Sequence, residues 1–164
     1  MRGIREYLTA IVDERRDEIG DVATRYVCNA DLVLQLGVGM PAVDRLPAGM
    51  PLGPMGQCFA TAGTIAVAPR CRFTYVEGFA QPLAGRPPVL HAWLMTVDGR
   101  AVDLTWGQRR PAAAYLGVPF SRDYLVVHIL RTRRWGLLDD GQGEPLIDVE
   151  PADYLAHCYG RAVA

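Results

Sequence analysis

Nine of the twenty residues from Gly37 to Gly56 are glycine or proline. Proline removes a backbone donor and fixes φ, and glycine costs entropy in any regular element, so this stretch is expected to hold no helix or strand. It divides the chain into a helical N-terminal part and a mixed C-terminal part, and it runs straight into Gln57-Cys58. Structureless loops of this length inside a compact domain are uncommon and tend to carry function, so the loop is expected to border a site.

On the N-terminal side, Ile4 to Leu36 reads as helical. Ile4, Tyr7, Leu8, Ile11 and Val12 share one face, and Gly20-Asp21 is the expected stop and N-cap before a second helix carrying Val22, Tyr26, Val27 and Leu34. On the other side, CFATAGTIAVA has the small residues of a buried helix and is closed by Pro69. Strand-like segments follow at Cys71–Gln81, Pro88–Val97 and Arg100–Gly107, the last two joined by Asp98-Gly99, a hairpin signal. Tyr115–Val118 reads as a short turn, Ser121–Arg134 as helix or strand, Asp139–Pro145 as loop and Pro151–Tyr159 as a short helix. Helices, a loop, a buried helix and then antiparallel strands make an α+β domain, and 164 residues without a linker or repeat make it a single one.

A net charge of −1 gives no bulk attraction to nucleic acid or to anionic membrane. No apolar run reaches the ~20 residues of a bilayer span, and the N-terminus lacks the apolar core of a signal peptide, so a cytoplasmic protein is expected. All 17 basic residues are arginine, which excludes Schiff-base and P-loop lysine chemistry. Cys28, Cys58, Cys71 and Cys158 are scattered, without a CxxC pair or zinc-ligand spacing, so neither a metal nor another cofactor is expected.

Among these cysteines, Cys58 stands at a helix start after a glycine-rich loop, where the helix dipole and a nearby imidazolium favour the thiolate. His91 lies in the second predicted strand and Asp103 in the third. A nucleophilic thiol needs a histidine to carry the proton and an acid on the other ring nitrogen to orient it. The acyl intermediate also needs oxyanion donors: the Cys58 N–H first, and the Gln57 side chain as a weaker second. A two-residue Asp98-Gly99 loop would pair Val97 with Arg100 and send His91 and Asp103 to opposite faces. The pairing therefore requires a bulge or a longer loop.

The segments GQCFATAGTIA, YVEGFA and HAWLMTVDGRAVDLTWG, in that order, resemble the transglutaminase-like branch of the papain-like thiol superfamily. The resemblance spans Gly56 to Gly107. It implies a papain-like core in which N-terminal helices and the nucleophile helix pack on an antiparallel sheet. It also implies Cys58 as nucleophile, His91 as acid/base and Asp103 as orienting acid, facing each other on adjacent strands. Two departures stand out: the proline that usually follows the acid is Leu104, and a papain-style glutamine six positions before the cysteine is replaced by Leu52.

The resulting expectation is a thiol acyl-transfer enzyme that hydrolyses an amide or peptide bond of a peptide or small-molecule acyl substrate. The alternatives are an amine acyltransferase or crosslinking enzyme, and a non-catalytic binding module on the same scaffold. Each further residue has a plainer reading beside the functional one. Glu77 could orient a substrate amine or sit on an edge strand. Trp93 and Trp106 could wall the substrate site or fill core. Cys28, Cys71 and His128 read as structural, His157-Cys158 as adjacent side chains that point apart, and Arg109-Arg110 as an exposed turn.

Overall fold

A computed structural model describes residues 3–20, 23–82, 86–106, 112–139, 141 and 143–156. The order of elements is α1 (Ile4–Ile19), α2 (Asn29–Leu36), β1 (Val38–Met40), α3 (Cys58–Ala66), β2 (Thr74–Pro82), β3 (Val89–Met95), β4 (Ala101–Val102), β5 (Ala112–Phe120), α4 (Arg122–Thr132) and α5 (Pro151–Tyr154). The strands form one antiparallel sheet in the order β1-β5-β2-β3-β4, so the fold is α+β. No helix among the described residues is long and apolar enough to cross a membrane.

The main core lies between the sheet and the helices. Leu8 and Val12 of α1, Leu32 and Val33 of α2, and Ala62 and Ala66 of α3 pack with Tyr75, Ala92, Leu94, Leu116 and Phe120 from the strands. A smaller cluster of Met40, Val76, Ala80, Trp93 and Tyr115 forms from the alternate positions, as a period of two requires. There the Trp93 ring covers Gly117, where a Cβ would lie 2.6 Å from the ring; only glycine fits under it.

Several elements differ from the sequence reading. The second helix starts at Asn29, not near Val22, because the Asp31 carboxylate accepts from the Val27 N–H and turns residues 27–31 into a cap. Asp21 and Val22 lie outside the described residues. The Gly37–Gly56 stretch does contain a strand: Val38–Met40 pairs with Gly117–Tyr115, because β5 offers a free edge that overrides the low propensity of glycine. Tyr115–Val118 is not a turn but the middle of β5, paired along its length with β2. Pro119 is tolerated there because its carbonyl faces the Ala156 N–H, on the side where β1 has already ended.

Ser121–Arg134 resolves as helix α4, whose N-cap Ser121 accepts from the Tyr124 N–H at 3.3 Å. The C-terminal helix stops at Tyr154. The third predicted strand, Arg100–Gly107, is only two residues long, and Asp103 follows it directly, just before a bend at 104–106.

Candidate active site

Cys58 is the first residue of α3 and is 7% exposed. Gly53 places the loop before it: its N–H donates to the Leu104 carbonyl at 2.9 Å, and a Cβ on it would strike the Thr61 side chain of α3. The glycine-rich loop is thus wedged between α3 and the residue after Asp103. Gln57, the N-cap, makes no side-chain capping bond, so the first-turn N–H groups of α3 have no intrahelical or cap acceptor. They present positive partial charge beside the Cys58 sulfur.

His91 and Asp103 come together through the hairpin between β3 and β4. Leu94 pairs with Val102 and Met95 with Ala101. The turn closes one step further on, with the Thr96 N–H donating to the Arg100 carbonyl at 3.0 Å and the Gly99 N–H to the Thr96 carbonyl at 3.0 Å. Val97, Asp98 and Gly99 therefore form a three-residue loop, with Gly99 at φ 77°, the left-handed position of a bulged turn. The Thr96 hydroxyl pins it by accepting the Arg100 N–H at 2.9 Å. The extra loop residue shifts the register by one and brings Asp103 to the side of His91. His91 Nε2 lies 2.8 Å from Asp103 Oδ2, with both residues under 5% exposed.

Asp103 is fully engaged. Its Oδ1 accepts from the Thr105 N–H, the Thr105 hydroxyl and the Trp106 N–H at 2.9–3.0 Å, and its Oδ2 accepts from the Tyr115 hydroxyl at 3.0 Å as well as from His91. Burial works against the charged carboxylate, but the hydrogen bond and charge of His91, with the backbone donors, hold it below the usual range. Burial likewise pulls His91 down. Asp103, and to a lesser degree the Cys58 thiol on the same ring, outweigh it and push the imidazole up to about 9. With Nε2 committed to Asp103, Nδ1 is the nitrogen left for sulfur.

The remaining expected site residues divide. Trp106 lies over the His91 ring, centroids 4.4 Å apart, and is partly exposed, so it stands between the imidazole and solvent. Gln57 is exposed and lines a cleft beside α3. Trp93 and Glu77, by contrast, are completely buried, and neither has a surface to offer a substrate. The Trp93 indole N–H donates to Met40 Sδ at 3.2 Å, and its ring packs on Tyr115. Glu77 is not on an edge strand: β2 lies between β5 and β3, and the carboxylate accepts from the Tyr75 hydroxyl and the N–H groups of Leu137 and Leu138 at 2.7–2.9 Å.

Tyr115 escaped the sequence reading, because its segment looked like a turn. A tyrosine two residues before a glycine carries no local sign that its hydroxyl will reach an aspartate twelve positions back.

Cys28 is buried at the start of α2, and burial pushes its thiol up, with the backbone around Asp31 and Ala30 opposing. Cys71 is partly buried, its sulfur within 3.6 Å of the Phe73 backbone. His128 is buried in α4. Arg109, Arg110, His157 and Cys158 lie outside the described residues. Among the described residues, no group of three or more His, Cys, Asp or Glu side chains is placed to hold a metal ion. No protein-family model, curated protein or solved structure matches the chain.

Proposed function

We propose that the protein is a thiol acyl-transfer enzyme of the transglutaminase-like, papain-like kind, and that it hydrolyses an amide or peptide bond. The observation that carries this reading is the buried His91–Asp103 hydrogen bond at 2.8 Å on a ring that also interacts with Cys58. An imidazole held up to about 9 is protonated at neutral pH, which suits a thiolate partner and supplies the proton a leaving amine needs.

The cycle follows from these groups. Cys58 sulfur attacks the acyl carbon, and the Cys58 N–H faces the developing oxyanion. The C–N bond breaks as His91 gives its proton to the departing nitrogen, leaving a thioester. Neutral His91 then takes a proton from water, the resulting hydroxide adds to the thioester carbon, and the C–S bond breaks. The acid departs, and thiolate and imidazolium are restored. Asp103 stays ionised throughout, holding the ring orientation.

Intact-protein mass after mixing with p-nitrophenyl acetate tests the reading. It predicts one acetyl group on Cys58 with a burst of nitrophenol, absent in Cys58→Ser and much slowed in His91→Ala. No acyl-enzyme in the native chain contradicts it and leaves a binding module. Adding a primary amine separates the enzymatic alternatives: free acid as the main product supports hydrolysis, and amide as the main product replaces it with acyl transfer.

A further inference from the structure

A cleft of about 410 Å3 opens beside the first turn of α3, lined by Gln57, Phe59 and Ala60 from the helix side and by Arg134, Trp135 and Asp139 from the chain after α4. Pockets of this size take a ring or a branched aliphatic group. Gln57 and Phe59 flank Cys58 in sequence, so the cleft lies against the turn of α3 that carries Cys58. Arg134 and Asp139 carry opposite charges, which leaves the lining no net preference for an ionic group. Met55, on the loop entering Cys58, is 65% exposed and extends the apolar character next to Gly56 of the lining.

The Trp135 wall is built from inside the fold. Its ring lies on α3 at Gly63, where a Cβ would come within 2.3 Å of Cε3. Its backbone and that of the next residues are tied to β2: the Tyr75 hydroxyl reaches the Trp135 carbonyl at 3.2 Å, and Glu77 accepts from Leu137 N–H at 2.7 Å and Leu138 N–H at 2.9 Å. Tyr75 has one proton and two acceptors, Glu77 Oε1 and the Trp135 carbonyl. The hydroxyl donates to Glu77 Oε1 at 2.8 Å and lies 3.2 Å from the Trp135 carbonyl, so it links the Glu77 side chain to the Trp135 backbone. A fully buried carboxyl without a cationic partner among the described residues is costly unless its hydrogen bonds hold something in place. What it holds is the segment that carries Trp135.

We propose that this cleft is the subsite for an apolar group, aromatic or branched aliphatic, on the acyl donor, that the group packs on Trp135, and that Glu77 and Tyr75 are positioning residues for that wall. The inference rests on the acyl-transfer reading of Cys58.

Alkylation of the full chain by a reagent series tests it: chloroacetamide, N-phenethylchloroacetamide and the anionic chloroacetyl-β-alanine. In each, Cys58 sulfur displaces chloride to form a thioether, located by peptide mass spectrometry. The phenethyl reagent is expected to react at Cys58 about tenfold faster than chloroacetamide, and the anionic one no faster than it. Trp135→Ala is expected to bring the phenethyl preference to within about twofold of unity. Glu77→Gln is expected to reduce it through KI more than through kinact, a split that a general loss of stability does not produce. Should Trp135→Ala fail to fold, Ala60→Phe, which fills the cleft from the helix side, is expected to abolish the preference. Selective modification of Cys58 without a phenethyl preference, a preference for the anion, or a preference that survives Trp135→Ala or Ala60→Phe overturns the subsite alone. Equal modification of Cys58, Cys28 and Cys71 by chloroacetamide overturns the acyl-transfer reading, and the subsite with it.

Discussion

His91 Nε2 and Asp103 Oδ2 meet at 2.8 Å because the hairpin between them turns on three residues, with Gly99 in the left-handed region at φ 77°. A turn shorter by one would leave every atom of both side chains intact and place them on opposite sides of the sheet. The orientation of the His91 imidazole is thus set by a turn with no chemical role of its own.

Deleting Val97, which is fully exposed, is expected to restore the two-residue turn and rotate Asp103 away from His91. His91 then loses the partner that holds it up, and its titration, followed by imidazole NMR, falls from about 9 towards its ordinary 6.5. A titration unchanged by the deletion contradicts the register argument. Gly99→Val keeps the turn length but forces a branched residue to positive φ, and is expected to lower stability by about 1–2 kcal/mol in urea unfolding.

The same ring makes a prediction about stability. His91 has a folded value near 9 against 6.5 when free. The stabilisation from its proton is therefore complete below pH 6.5 and is lost as pH rises through about 9, a change of order 3 kcal/mol. The stability difference between the native chain and Asp103→Asn is expected to be largest near pH 6 and to shrink towards pH 9.

Glu77 runs in the same direction for a different reason. Burial raises it from 4.5 to about 7, against the opposing hydrogen bonds from Leu138, Tyr75 and Leu137. A raised acid favours the folded state while protonated, so its contribution is complete below pH 4.5 and is lost as pH rises through 7. Glu77→Gln is expected to flatten that part of the stability curve, measured by urea unfolding between pH 4.5 and 7.5. A parallel curve contradicts a protonated Glu77.

Tyr115 shares Oδ2 of Asp103 with His91. Tyr115→Phe removes one of five hydrogen bonds to that carboxylate and is expected to cost about 1–2 kcal/mol of stability. Acylation of Cys58 is expected to slow by less than about tenfold, against about a hundredfold or more for Asp103→Ala, since the other donors still fix the carboxylate. Stopped-flow acylation of the two variants checks the order.

These contrasts follow what a sequence can carry. The position of Cys58 at a helix start was legible because the signals are local: a glycine-rich loop, then small helix formers closed by a proline. His91 in a strand was legible from a strand-like segment that runs into the Asp98-Gly99 hairpin signal. The turn length was not, because it depends on Gly99 taking the left-handed well and on the Thr96 hydroxyl closing the loop. Tyr115 was hidden because its segment reads as a short turn until β2 is there to pair with it. Glu77 meets its backbone partners sixty positions away, and no local pattern announces such a contact.

The central claim is that Cys58 reacts as one unit with His91. The most direct measurement is the iodoacetamide rate at each cysteine between pH 5 and 9, mapped by peptide mass spectrometry, in the native chain and in His91→Ala. Cys58 is expected to be the fastest site at neutral pH, ahead of Cys28, whose thiol burial pushes up, and of Cys71 and Cys158. The substitution is expected to slow Cys58 by about tenfold or more at pH 6–7. A faster Cys28, Cys71 or Cys158, or a Cys58 rate indifferent to His91, contradicts the claim.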